Sequence, residues 1–166
     1  DFTVGENAIL GGQNNASFVK GPTHLLDYDA IYGYAADIVQ EFDVRISGVR
    51  SQAKQLSGGN MQKLILAREL SRNPKLLIAC NPTNGLDVGA TKYVRERFLE
   101  QRDKGKGLLL VSEDLDEVLE LSDRIAVIYE GQIMGVVSAE DVKIGEIALM
   151  MAGSKEESGF QRVASE

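Results

Sequence analysis

The chain has 166 residues, of which 43% are hydrophobic and 26% charged. That is enough for one domain with a core, and too apolar for a disordered or collagen-like chain. Lys and Arg number 18 against 25 Asp and Glu, a net charge of -7. A generally acidic surface repels phosphate backbones and argues against a stand-alone nucleic-acid binder. The single cysteine, Cys80, excludes an internal disulfide. The single histidine, His24, comes close to excluding a His/Cys zinc site. A Ser-His-Asp triad would have to use it, but nothing around it reads as such a site, and His24 reads as a loop residue. No apolar run approaches the roughly 20 residues that cross a bilayer. Leu108 to Val111 is typical of the short runs present. The chain opens on Asp1 with no signal peptide after it, which suggests a piece of a longer cytosolic protein.

Taken in chain order, Thr3-Val4-Gly5-Glu6 has the spacing of a capping box and predicts a short helix from Val4. Gly11 to Gly21, rich in Gly, Asn and Ser, predicts a loop. Tyr28 to Phe42 carries Ile31, Tyr34, Ala35, Ile38 and Phe42 at helical spacing. Val44 to Gln55 is irregular. Gly58 to Arg72 predicts a helix with Met61, Leu64, Ile65 and Leu70 on its inner side, ended by Pro74. The pattern then changes. Leu76 to Cys80 is a continuous apolar run that predicts a strand buried on both faces, with Cys80 inside. Val88 to Arg102 predicts a helix that buries Tyr93, Val94, Phe98 and Leu99. Gly107 to Val111 predicts a strand and Asp114 to Leu121 a short acidic helix. Ile125 to Tyr129 and Ile133 to Val137 predict strands around a Gly131 turn, and Ile144 to Met151 a last amphipathic helix. Ser154 to Glu166 is polar and reads as a frayed tail. The alternation after residue 72 predicts an α/β fold with a parallel sheet and right-handed crossovers.

Two segments carry chemistry. Leu56-Ser57-Gly58-Gly59-Asn60 opens a helix. There the unpaired N–H groups and the positive end of the helix dipole suit an anion such as phosphate. A plain serine cap followed by flexible glycines accounts for the same five residues equally well. The second segment is the strand Leu76 to Cys80 with Asn81-Pro82-Thr83-Asn84-Gly85-Leu86-Asp87 after it. Ligands of parallel sheets sit at such strand ends, although a strand followed by a Pro/Gly turn would look alike. The acidic run Glu113, Asp114, Asp116, Glu117, Glu120 and Asp123 lacks EF-hand spacing and reads as a helix start enriched in acids.

Together, and in this order, the two segments resemble the nucleotide-binding domain of ABC transporters. Leu56 to Asn60 matches the signature motif, with Asn60 where Gln is usual. Leu76 to Cys80 matches the Walker B strand, and Gly85-Leu86-Asp87 the D-loop. Thr3 to Asn7 matches the entry to the helical subdomain. Leu108 to Ser112 matches the approach to the switch residue. Asp123-Arg124-Ile125 and Glu130-Gly131-Gln132-Ile133 match the end of the core. The resemblance covers roughly residues 1 to 138, and Gly85 to Ala90 look most like the second ATPase domain of simple-sugar or nucleoside importers. It implies an incomplete P-loop NTPase fold: a helical signature subdomain over 1–72, the back half of a parallel-sheet core over 73–138, and a C-terminal helix with a polar tail over 139–166. It also implies nucleotide binding through Leu56, Ser57, Gly58, Gly59, Asn60 and Gln62.

The departures matter as much as the matches. No Gly-x-x-x-x-Gly-Lys-Ser/Thr occurs, so the phosphate-cradling loop is absent from this chain. Against the family pattern, Cys80 stands where Asp holds Mg²⁺, Asn81 where Glu orients the attacking water, and Glu113 where His meets the γ-phosphate. A thiol is a poor ligand for a hard cation. An amide is no general base, and a carboxylate repels phosphate. These three predict a degenerate hydrolytic site and a chain inactive alone. In head-to-tail pairs of the family each ATP lies between one domain's P-loop and the other's signature, so the nearly intact signature should complete a partner's site. The implied cofactors are ATP and Mg²⁺ in the full assembly. The implied partners are a second ABC ATPase domain, a transmembrane permease and, indirectly, an extracytoplasmic solute-binding protein, with no nucleic acid. The implied location is the cytoplasmic face of the membrane. A non-transport ABC ATPase of DNA repair or translation, or a silent binding module, are the alternatives. The first usually carries insertions not seen here, and the second does not need the signature.

Overall fold

A computed structural model describes residues 2–21 and 25–154. His24 and the tail from residue 155 lie outside the described residues. The chain divides into two compact units, Asp1–Leu109 and Leu110–Glu166.

The first unit is built on three packed helices. Helix α1 (Val4–Ala8) starts at the capping box read in the sequence. The Glu6 N–H donates to the Thr3 hydroxyl at 3.1 Å, and the Thr3 N–H to the Glu6 carboxylate at 2.8 Å. A short hairpin of β1 (Val19–Lys20) and β2 (Leu25–Leu26) precedes α2 (Tyr28–Glu41) and was not predicted. Asp27 caps α2 by accepting from the N–H groups of Asp29 and Ala30. Ile31, Ala35 and Ile38 are buried as expected, with Val39 added and Tyr34 only half-buried.

Helix α3 (Gly58–Leu70) is shorter than expected, because the chain leaves the helix before Pro74 and turns through Asn73 in the left-handed region, φ 50°. Its buried residues are Leu64, Leu66, Ala67 and Leu70, while Met61 and Ile65 are half-buried. The inner face is therefore rotated from the predicted one. Contacts with α1 and α2 on one side and with α4 (Val88–Asp103) on the other widen the buried stripe. In α4, Val94 and Phe98 are buried as predicted. Ala90 and Gln101 complete the face in place of the half-buried Tyr93 and Leu99.

Strand β3 (Leu76–Cys80) is paired with β4 (Gly107–Val111) across the α4 crossover, and the Gly107 N–H donates to the Lys75 carbonyl at 2.9 Å. This is the partial parallel sheet that the alternation predicts. The expectation that β3 is buried on both faces is corrected. Its residues alternate between exposed and half-buried, with Leu76 56% and Ile78 64% exposed. Cys80 is exposed too, and not the buried strand residue expected. The continuous apolar run reflects side-chain type alone, and one face of this strand is uncovered.

In the second unit, α5 (Leu115–Leu121) starts at Asp114, whose carboxylate accepts from the Asp116 and Glu117 N–H groups at 3.0 and 3.2 Å. The acidic run thus includes a helix cap. Strands β5 (Arg124–Tyr129) and β6 (Gln132–Ser138) form an antiparallel hairpin with Ile125 opposite Val137. The parallel sheet therefore does not extend through this part. Glu130 and Gly131, φ 46° and 76°, make a two-residue turn, and both angles suit the tight hairpin turn that matches strand twist. Ile147 and Met150 of α6 (Ile144–Met151) pack with Ile125 and Val127, joined by Leu115, Val118 and Leu119.

Candidate functional site

The signature segment lies at the start of α3. Ser57 is the N-cap, with extended backbone (φ -63°, ψ 158°), and its exposed hydroxyl oxygen accepts from Asn60. Gly58 and Gly59 are the first helical residues. Their N–H groups have no acceptor within the helix, and the helix dipole adds partial positive charge at this end. Leu56 packs half-buried before the cap, and Gln62 is half-buried one residue past Met61. Such an end suits a phosphate group.

Asn60 is bound at both ends of its amide. Its Oδ1 accepts from the Arg45 N–H at 2.8 Å, and its Nδ2 donates to the Ser57 Oγ at 3.0 Å. The signature is thereby tied to the segment that follows α2.

The D-loop residues lie against the same helix end. Gly85 takes φ 72°, a conformation that L side chains rarely adopt. The Leu86 N–H donates to the Thr83 carbonyl at 3.1 Å, and Asp87 caps α4 by accepting from the Ala90 N–H at 2.8 Å. A Cβ on Gly58 would lie 3.9 Å from the Leu86 side chain, and one on Gly59 3.0 Å from the Ala90 Cβ. A side chain at Gly59 would thus press on Ala90, so helix packing favours the glycine at this position.

A cationic ladder fixes this helix pair further along. At the end of α2, Asp43 adopts φ 48° while the Val44 N–H bonds the Val39 carbonyl, the geometry of a helix C-terminus that usually carries Gly. Lys63 compensates by donating to the Asp43 carbonyl at 3.0 Å and to its carboxylate at 2.7 Å. The Lys63 ammonium holds the Asp43 carboxyl below its usual range, first through that hydrogen bond and then through charge. The same ammonium sits 4.4 Å from the Tyr93 ring centroid, and the Arg97 guanidinium 5.0 Å from it. The Tyr93 hydroxyl donates to the Phe42 carbonyl at 2.8 Å, and burial raises its pKa.

Cys80 ends β3, exposed, and Asn81 follows with φ 45°. Glu113 is exposed in the second unit. The donor set at the end of β3 is a thiol and a carboxamide. No group of three or more His, Cys, Asp and Glu that could hold a metal occurs among the described residues. These residues do not fit a Mg²⁺ ion of their own. The structure brings the signature and the D-loop together. Sequence reading missed Arg45, Asp43 and Lys63. A backbone N–H leaves no sequence signal, and Asp at a helix end gives no sign that a lysine twenty positions on will satisfy it. Tyr93 was legible as a packing residue, but its hydroxyl bond to Phe42 was not.

Comparisons with known proteins identify the family. The ABC transporter family model matches residues 2–84. The nucleoside import ATP-binding protein NupA of Lactococcus lactis is 47% identical over 156 residues, which are 92% of this chain and 30% of that protein. The glucose import ATP-binding protein TsgD13 of Haloferax volcanii is 47% identical over 157 residues, 92% of this chain and 28% of its own. The chain thus spans less than a third of the length of these relatives. A nucleotide-free ATP-binding cassette from an ABC transporter has a TM-score of 0.66 at 25% identity, over 89% of this chain and 62% of that one. The family model and these relatives show that the chain belongs to the ABC transporter family as part of its ATP-binding domain.

Proposed function

We propose that this chain is part of the ATP-binding subunit of an importer for nucleosides or simple sugars, and that it lends its signature to an ATP site whose P-loop lies on a partner domain. The similarity to nucleoside, guanosine, ribose and glucose import ATP-binding proteins supports the importer class. The observation that carries the signature role is the exposed Ser57 hydroxyl at the open end of α3, beside Gly58 and Gly59. Serine and backbone donors there would stabilise negative charge on the γ-phosphate of the partner's ATP. By the family resemblance, Cys80, Asn81 and Glu113 stand in place of the metal-binding Asp, the water-orienting Glu and the switch His, so the chain's own hydrolytic site is slow or silent. ATP and Mg²⁺ are held chiefly by the partner. Residues 1–72 act as the helical subdomain, with 73–138 as partial core and 139–166 as a terminal helix and tail. The assembly docks on a permease at the cytoplasmic membrane face and is served by an extracytoplasmic solute-binding protein. No helix among the described residues is long and apolar enough to cross a membrane.

A Mg·ATP titration of the isolated chain, read amide by amide, tests the half-site. Weak shifts confined to Ser57 to Asn60 are expected. Tight binding, or shifts centred elsewhere, would mean a complete nucleotide site on this chain and would overturn the proposal.

A further inference from the structure

We propose that Asn60 is a positioning residue that decides where the Ser57 hydroxyl proton points. The inference rests on the reading of Ser57 as a donor to phosphate. The orientation of the Asn60 amide is dictated by its neighbours. Arg45 offers an N–H at 2.8 Å, so the oxygen of the amide must face it. The NH₂ group must then face the Ser57 Oγ, 3.0 Å away. The Asn60 N–H also points at that oxygen, at 3.5 Å. A serine oxygen has two lone pairs and one proton. With both lone pairs engaged from the Asn60 side, the proton is directed away from the protein, toward the open helix end.

The length of the side chain matters. A glutamine here would carry its amide one methylene further and could not keep both contacts in the same backbone. An aspartate is isosteric and would keep the bond from the Arg45 N–H, but it would present an oxygen to Ser57. The hydroxyl would then turn to donate to residue 60, and its proton would be lost to a phosphate. The asparagine at this position is therefore read as a device that presets a donor, at no cost in reorganisation when ATP arrives.

The test is a double-mutant cycle in the whole importer ATPase assembled with its partner domain and permease, with Mg·ATP as the probe and kcat and KM read separately. Ser57→Ala and Asn60→Ala should each lower kcat by about tenfold, with KM changing less. The double variant should be no worse than Ser57→Ala, because Asn60 acts through that hydroxyl. Asn60→Asp should cost more than Asn60→Ala. A side chain that merely stabilised the fold would add its effect to that of Ser57→Ala and lower the thermal midpoint in parallel. Additive losses, or a harmless Asn60→Ala beside a harmful Ser57→Ala, would overturn the inference and leave the signature reading standing. A harmless Ser57→Ala would remove both. If Asn60→Ala does not fold, the cycle is run with Asn60→Leu, which is close in size and adds no charge, and the same additivity decides.

Discussion

Gly59 and Ala90 meet so closely that a methyl group on residue 59 would sit 3.0 Å from the Ala90 Cβ. The signature and the start of α4, the helix capped by the D-loop aspartate, are therefore in direct contact. Gly59→Val should cost about 1–3 kcal/mol through overpacking, measured by denaturant unfolding. Gly59→Val with Ala90→Gly should recover part of that loss. If the second change recovers nothing, the two positions do not share the strain.

Asp87 links the D-loop to α4 through its bond from the Ala90 N–H. Asp87→Ala should destabilise by about 1 kcal/mol, whereas Asp87→Asn, which can still cap, should cost only a few tenths. Thermal unfolding of the two variants measures this. Equal losses would show that charge, and not capping, is what the site needs.

Asp43 gives a pH signature. Its folded pKa lies below the ordinary 3.8 because Lys63 bonds and neutralises it. A depressed carboxyl contributes stability above its unfolded pKa and loses it as pH falls through the folded one. The thermal midpoint of Asp43→Asn should therefore lie below that of the wild type at pH 7. The two should converge below pH 3.8, the ordinary Asp43 value. Glu6, held down by the Thr3 N–H, and Asp27, held down by the Ala30 N–H, add to the acid sensitivity of both proteins alike. A gap that persists unchanged at low pH would contradict the role given to the Lys63 pair.

The uncovered face of β3 should govern behaviour in solution. Leu76 and Ile78 are 56% and 64% exposed, and Leu109 is 52% exposed. Apolar surface next to an unpaired strand edge favours association. The isolated chain should scatter light above the monomer value at high concentration, and Ile78→Lys should reduce this. Unchanged scattering in that variant would move the origin of association elsewhere.

Much of this was legible in the sequence, and the reasons are particular. The Thr3 to Glu6 capping box and the helical period of Tyr28 to Phe42 are local features. Local chemistry is enough to place them. Ser57 and the Gly85 to Asp87 segment were singled out by the family resemblance, since local chemistry alone left a plain serine cap equally good. The faces of α3 and α4 were less legible, because the sequence does not say how many neighbours a helix has. Leu66 and Ala67 are buried since α3 touches three other helices. Burial of β3 was misread because an apolar strand looks alike whether covered or not. The antiparallel pairing of β5 with β6 was written in Glu130-Gly131, whose two left-handed residues turn the chain straight back. The Arg45 to Asn60 bond and the Lys63 clasp on Asp43 are long-range and have no sequence pattern.

The central claim is that this chain completes a partner's ATP site and has a silent site of its own. Steady-state Mg·ATP turnover of the whole importer ATPase tests it most directly, comparing wild type, Ser57→Arg, and the pair Cys80→Asp with Asn81→Glu. The account predicts that Ser57→Arg abolishes transport-linked turnover and that the restored acid pair changes it far less. Wild-type turnover in Ser57→Arg would contradict it.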